Sequence, residues 1–307
     1  QETSALYMDG KSSARINQLA ENAVRNFLRF IIYSLRRVCL ETPHNAMITE
    51  IAFPDSDPHN GGKRTFFLKR ADQGWLVYKP VNPGPQDLFY RVLSLVTFSV
   101  TGTTPPLCEI VSRDKDFVLY RYIPSRPDLG GETSAAQFYF QFGIVLSVAH
   151  ILAVRDLHFE NMVVSGGMPT PIDIEVIGAC DINEQSTLID TGLVGFDGTD
   201  ALKGGGDVYR FGIFEAQSPH TWSEVRHWRR DFRSANRIVS SVQGSVFDPD
   251  AYREHLITGF AQGYKEISKY SSWYFDICRD TIRYFSRICQ LQSRVILRPT
   301  LVYEALL

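Results

Sequence analysis

The stretch AAQFYFQFGIVLSVAHILAV, Ala135 to Val154, is the feature that most limits what this chain can become. It is about long enough for a membrane span, since roughly 20 apolar residues cross the hydrocarbon core as a helix. Gln137, Gln141 and His150 interrupt it, however, and it runs directly into the charged sequence RDLHFEN. A helix apolar on every side is otherwise the centre of a large core. That is the reading taken here: a buried helix in a soluble, cytoplasmic protein with no membrane partner. With 307 residues and 44% hydrophobic content, the chain has material enough to surround such a helix.

Charge narrows the classes further. Lys and Arg total 32 against 34 Asp and Glu, a net charge of -2, so bulk electrostatics points to no nucleic acid and to no anionic surface. The 5 cysteines form no CxxC pair and are odd in number, which suits a reducing compartment better than a disulfide framework and offers no zinc spacing. No basic-then-apolar signal segment opens the chain; it starts at Gln1, so an initiator Met or a longer N-terminus is expected ahead of it.

The order of elements gives the architecture. From about Ser12 to Leu40, Ile16, Leu19, Ala20, Ala23, Val24, Phe27, Leu28 and Ile31 recur at helical spacing and predict an amphipathic helix, which Pro43 ends. From Met47 the period changes to short runs, MITEIAF, RTFFLKR and GWLVYKP, separated by DSDPHNGG and ADQG. These are three strands of an antiparallel sheet. A helix in QDLFYRVLSLVTFSV and two strands in LCEIVSR and DFVLYRYI follow, then the hinge-like PSRPDLGGE, the long apolar helix, an irregular polar region and a helical end.

A small sheet-rich part before a larger helical part is the layout of a protein kinase. The expected fold is therefore α+β, kinase-like and two-lobed. Its divisions are an N-terminal helix over 1–45, a small lobe over 46–125 and a helical lobe over 126–307, with an activation-segment insertion at about 180–250.

Phosphoryl transfer asks a protein for a cation on the nucleotide phosphates, ligands for Mg²⁺, and a carboxylate facing the attacking hydroxyl. Lys79 closes the third strand in WLVYKP, where a kinase places its phosphate-contacting lysine. A strand-end lysine is the plain alternative. In RDLHFEN, Asp156 and Asn161 have the spacing of a catalytic Asp and a metal-binding Asn, and Asp173 follows in PIDIE after a Gly-Gly turn. Asn161 and Asp173 can share Mg²⁺, a hard cation that takes a few protein oxygens and completes its shell with phosphate and water.

Asp156 would orient or deprotonate the substrate hydroxyl. His158 stands where many kinases carry a lysine near the transferring phosphate, and imidazole offers a comparable proton. A loop histidine satisfied by backbone is the plain alternative. The usual glycine loop is missing; between the first two strands, Gly61 and Gly62 allow close backbone approach, and Asn60, Lys63 or Arg64 could bind phosphate, with a plain hairpin turn as the alternative. The helix after Lys79 lacks a Glu at the expected place, which leaves Asp87 or Glu109 as its partner.

WLVYKP, RDLHFENMVVSGGMPTPIDIE and the terminal SRVILRPTLVYEALL together resemble the dehydratase domain of the class II lanthipeptide synthetases, the LanM family. SDPHNGGKRTFFL and AYREHLITGFAQGYKEI add to the likeness. Members of that family phosphorylate Ser and Thr of a precursor peptide with ATP and Mg²⁺, then eliminate phosphate to leave dehydroalanine or dehydrobutyrine. By position, the resemblance gives Lys79, Asp156, His158, Asn161 and Asp173 to phosphorylation. It gives Arg294 and Thr300, within the terminal motif at 293–307, to elimination. A guanidinium gripping the departing phosphate would stabilise the charge that develops as the Cβ–O bond breaks, and Arg298 could assist.

Full synthetases are longer, with a further N-terminal region and a C-terminal zinc cyclase. The expectation is therefore a compact stand-alone dehydratase without a cyclase, or one piece of a split enzyme, acting on a ribosomally made precursor peptide and leaving cyclisation or leader binding to a separate partner. Two other readings stay open on the residues alone: a kinase acting on a peptide or small molecule, and a non-catalytic peptide-binding subunit.

Overall fold

The computed structural model describes residues 10–41, 47–54, 63–126, 128–157, 161–178, 188–193, 238–240, 247 and 249–288. The chain divides into two compact units: one made of Gln1–Val81, Ile110–Arg113 and Phe117–Tyr122, the other of Asn82–Glu109, Asp114–Asp116 and Ile123–Leu307.

The first unit combines one helix with a five-stranded sheet. Helix α1 (Gly10–Glu41) precedes β1 (Ile48–Ala52), β2 (Phe66–Arg70) and β3 (Gly74–Lys79), and the sheet is completed by β4 (Ile110–Asp114) and β5 (Phe117–Arg121) in the order β1-β2-β3-β5-β4. Antiparallel pairing sets Phe66 opposite Tyr78 and Lys79 opposite Val118. Strand alternation then sorts the side chains. Phe66, Leu68, Leu76, Tyr78, Phe117 and Leu119 form the core on one face with Val38, and Phe30, Ile31 and Leu35 of α1 pack against them. Tyr78 stacks between Phe66 at 4.6 Å and Phe117 at 5.2 Å, and the Arg37 guanidinium lies 4.6 Å from the Phe117 ring centre.

The amphipathic α1 is present, but its apolar stripe is used only in part. A helix of 32 residues runs about 48 Å, whereas strands of 5 residues run about 17 Å. Only the second half has sheet beneath it. Ile16, Leu19, Val24 and Leu28, read from the periodicity as a core face, are 46–60% exposed.

In the second unit, α2 (Gly84–Thr101) opens where the Asn82 side chain accepts the Gly84 N–H at 2.9 Å, and closes at Gly102, whose φ of +73° lets its N–H reach the Phe98 carbonyl. A two-residue strand β6 (Asp128–Leu129) then leads into α3 (Glu132–Ile151). The hairpin β7 (Met162–Ser165) and β8 (Met168–Pro171), the short β9 (Val239–Ser240), α4 (Arg253–Lys269) and α5 (Ser271–Ile288) follow. β6 and β9 pair in parallel, a contact too short to leave a pattern in the sequence.

Helix α3 is the long apolar stretch, and it is a core helix. Phe138, Phe142, Ile144 and Val148 are fully buried, as is Ser147, whose hydroxyl bonds back to the Ile144 carbonyl. Among the described residues no helix is long and apolar enough to cross a membrane. α3 and α4 touch backbone to backbone: a Cβ on Gly259 would overlap the Phe140 carbonyl, one on Gly143 the Leu256 carbonyl, and one on Gly263 the Ser147 hydroxyl.

Candidate functional site

The described part of the site is built at the end of α3. Ala153 turns the chain out of the helix with φ +47°, and the Val154 N–H bonds to the Ala149 carbonyl at 2.9 Å. Arg155 bridges to Val176. Asp156 then adopts φ +70°, a left-handed conformation that costs an ordinary L-residue about 1–2 kcal/mol. The surroundings hold it there. The Arg155 N–H donates to Val176 at 3.2 Å, and the N–H of fully buried Leu157 donates to Thr191 at 2.9 Å. A backbone held in a strained region by several independent bonds is a common mark of an active site.

Thr191 is itself fully buried. Its hydroxyl donates to the Leu188 carbonyl at 2.6 Å and accepts the Leu193 N–H at 3.2 Å, which fixes the short turn Ile189–Thr191 against the loop.

Asn161 connects this loop to the hairpin. Its side-chain amide donates to the Asp156 carbonyl at 2.7 Å, and its own carbonyl accepts the Ile172 N–H at 2.8 Å. Between these residues Met162 pairs with Pro171 and Ser165 with Met168, joined by Gly166 and Gly167 at φ +56° and +72°. Two successive positive φ values are what a two-residue hairpin turn requires, and glycine supplies them without a Cβ penalty. The outer edge of β7 is satisfied as well: Arg126 N–H reaches the Val164 carbonyl at 2.8 Å, and the Ser125 hydroxyl accepts the Val164 N–H at 3.2 Å.

Beyond β8, buried Ile174 and Val176 alternate with half-buried Asp173 and Glu175, so that the two acids share one side of the chain. Asp156, Asn161 and Asp173, separated in sequence, are thus brought into one connected framework within the second unit.

In that framework the two residues expected to hold Mg²⁺ flank the hairpin, Asn161 just before β7 and Asp173 two residues after β8. An amide whose nitrogen is committed to a carbonyl has only its oxygen to offer a cation, and a carboxylate follows it across the hairpin. Among the described residues no group of three or more His, Cys, Asp or Glu could hold a metal ion.

Lys79 lies in the first unit, at the end of β3 and 7% exposed. Strand alternation puts it with Trp75 and Val77, on the face opposite the Phe66, Leu76 and Tyr78 core. Asp87, weighed as a partner for it, pairs with Arg91 along α2 at 2.9 Å. Asn60, Gly61, Gly62, His158, Arg294, Arg298 and Thr300 lie outside the described residues, as does most of the expected insertion.

The sequence reading missed Tyr90 and Gln86. Tyr90 is 6% exposed and donates its hydroxyl to the Pro171 carbonyl at 2.6 Å, while Gln86, 4% exposed and one turn earlier, donates its side-chain amide to the Tyr90 oxygen at 3.1 Å. The available signal was two polar-tipped residues at i, i+4 on the buried side of an otherwise apolar helix.

A family model described as a domain of unknown function, DUF4135, matches residues 14–193. The chain belongs to the DUF4135 family. The match includes Lys79, Asp156, Asn161 and Asp173 and stops short of Arg294 and Thr300. This DUF4135 chain is also 24% identical, over 337 aligned positions, to the lacticin 481/lactococcin biosynthesis protein LcnDR2 of Lactococcus lactis subsp. lactis. That alignment takes in 98% of the chain and 35% of the relative, so the chain spans about a third of the length of the protein it matches. Both findings support the likeness to a lanthipeptide synthetase domain first drawn from WLVYKP and RDLHFEN.

Proposed function

We propose that this protein is a lanthipeptide-type Ser/Thr dehydratase, which phosphorylates Ser and Thr of a ribosomally made precursor peptide with ATP and then eliminates the phosphate. The observation that carries the first half is the hydrogen-bonded path from Asp156 through Asn161 to the peptide before Asp173, with Asp156 held at φ +70°. It supports a kinase-like catalytic loop and metal hairpin. The similarity to a lacticin 481/lactococcin biosynthesis protein supports the peptide substrate.

In this reading Asp156 orients the Ser or Thr hydroxyl and takes its proton as the oxygen attacks the γ-phosphorus and the bond to ADP breaks. His158 offers a hydrogen bond to the moving phosphoryl group, and Lys79 and Asn60 bind the nucleotide phosphates. Asn161 and Asp173 would hold Mg²⁺, which when bound offsets the negative charge of those phosphates. In the second half a base takes the Cα proton, its bonding pair becomes the Cα=Cβ double bond, and phosphate leaves with the Cβ–O pair as an anion gripped by Arg294, with a hydrogen bond from Thr300.

Replacing Arg294 or Thr300 should therefore stop the reaction between its halves. Arg294→Ala or Thr300→Ala incubated with ATP, Mg²⁺ and precursor peptide is expected to accumulate phosphopeptide, read by mass spectrometry. Unchanged dehydration by both variants would remove them from the mechanism. The alternative is a kinase without the elimination step. In that case the wild type itself stops at phosphopeptide.

A further inference from the structure

Resting on the reading above, we propose that Tyr90, supported by Gln86, is a positioning residue that sets the two candidate Mg²⁺ ligands, Asn161 and Asp173, relative to one another. The Pro171 carbonyl and the Ile172 N–H belong to the same peptide unit. The Tyr90 hydroxyl donates to that carbonyl at 2.6 Å, and that N–H donates to the Asn161 carbonyl at 2.8 Å. The unit directly before the Ile172–Asp173 segment is therefore gripped at both ends, and it cannot rotate about its long axis without breaking both bonds.

The line of bonds extends in each direction. Gln86 donates to the Tyr90 oxygen at 3.1 Å, and Asn161, past its own carbonyl, donates its side-chain amide to Asp156 at 2.7 Å. It runs from α2 to the strained aspartate, and hydrogen bonds in such a chain polarise one another in a low-dielectric interior. Because Pro171 has a fixed φ and no N–H of its own, its carbonyl is the handle that residue offers.

Packing alone does not call for a phenol at this place. The neighbouring Phe89 is fully buried with no polar tip, whereas a buried hydroxyl needs an acceptor. Tyr90 takes the acceptor two residues before Asp173. Downstream, buried Ile174 and Val176 anchor the segment that follows Asp173, and Val176 bridges to Arg155. Asp173 is thus held between a polar clamp and an apolar one.

The test is Tyr90→Phe in the whole chain. Calorimetry with a non-hydrolysable ATP analogue is run across a range of Mg²⁺ concentrations, and hydrogen exchange at the Ile172 amide is followed in parallel. Losing one buried hydrogen bond should raise the Mg²⁺ needed for half-maximal nucleotide binding by about five- to tenfold, leave Mg²⁺-free nucleotide binding unchanged, and speed exchange at Ile172. If Tyr90→Phe does not fold, Gln86→Leu, which keeps the ring and removes only the supporting donor, should give the same pattern at about two- to threefold. A wild-type Mg²⁺ dependence in the folded variant, or an equal loss of Mg²⁺-free binding, overturns the inference while leaving the dehydratase reading intact. Wild-type protein that binds nucleotide with no Mg²⁺ dependence removes that reading and the inference together.

Discussion

Asn161 donates its side-chain amide to the backbone carbonyl of Asp156 at 2.7 Å, closing the loop between the residue proposed to face the substrate and the residue proposed to face the metal. The two roles are thereby tied to one backbone geometry. Asn161→Ala removes both the candidate ligand oxygen and the amide that holds the strained turn, whereas Asn161→Asp loses only the amide. Asn161→Ala should therefore cost more activity than Asn161→Asp, which keeps an oxygen donor. Measuring both variants for phosphopeptide formation, with melting temperatures alongside, tests this; equal activity would contradict the role of Asn161.

Asp156 at φ +70° permits a cleaner separation of chemistry from stability. Glycine accepts that conformation freely, so Asp156→Gly should be as stable as the wild type or more stable by up to about 1 kcal/mol. It should also lose phosphorylation by about 10²–10⁴-fold, the usual worth of a positioned acid or base. A variant that keeps its activity would show that Asp156 is only a turn residue.

The α3–α4 crossing predicts a stability defect remote from the site. In Gly259→Ala the new methyl meets the Phe140 carbonyl, which is backbone and cannot swing aside. The helices must separate, at a cost of about 1–3 kcal/mol and a fall of about 2–4 °C in melting temperature per kcal/mol. An unchanged melting temperature would contradict the close contact.

Two titrating groups give opposite pH signatures. Arg70, 1% exposed, grips Asp72 through both carboxylate oxygens at 3.0 and 2.8 Å, and this bond holds the Asp72 carboxyl below its ordinary value of 3.8. Its contribution is present above that value and is lost as pH falls through the depressed one. Asp72→Asn should therefore be less stable than the wild type at neutral pH, and the gap should close in acid. Tyr274 is pushed up to about 12, chiefly by burial. Keeping this phenol neutral favours the fold fully below its ordinary value of 10 and stops doing so as pH rises through 12. Denaturation from pH 9 to 12 should show a shallower alkaline decline for Tyr274→Phe, and parallel curves would contradict the assignment.

Much of this fold could be read locally. The periods of RTFFLKR, GWLVYKP and QDLFYRVLSLVTFSV fall on β2, β3 and α2, and the apolar run from Ala135 falls on α3. The Gly-Gly turn before Asp173 likewise marks a real hairpin. What could not be read depends on partners distant in the chain. The helical period cannot show that the sheet covers only half of α1, leaving Leu19 and Val24 exposed. Gly143, Gly259 and Gly263 look like ordinary helix residues until α3 and α4 are placed together. At the site, residue types and spacing pointed to Asp156, Asn161 and Asp173, but the turn of Thr191 against Leu157 and the reach of Tyr90 to Pro171 are long-range bonds with no local trace.

The central claim is dehydration by way of phosphorylation. It is tested most directly by incubating the wild-type protein with ATP, Mg²⁺ and a Ser/Thr-containing precursor peptide of the lanthipeptide type, then measuring peptide mass. The account predicts loss of water that requires ATP, with a transient phosphopeptide and no product from Asp156→Asn. A peptide that loses water without ATP, or an Asp156→Asn variant that works as well as the wild type, would contradict it.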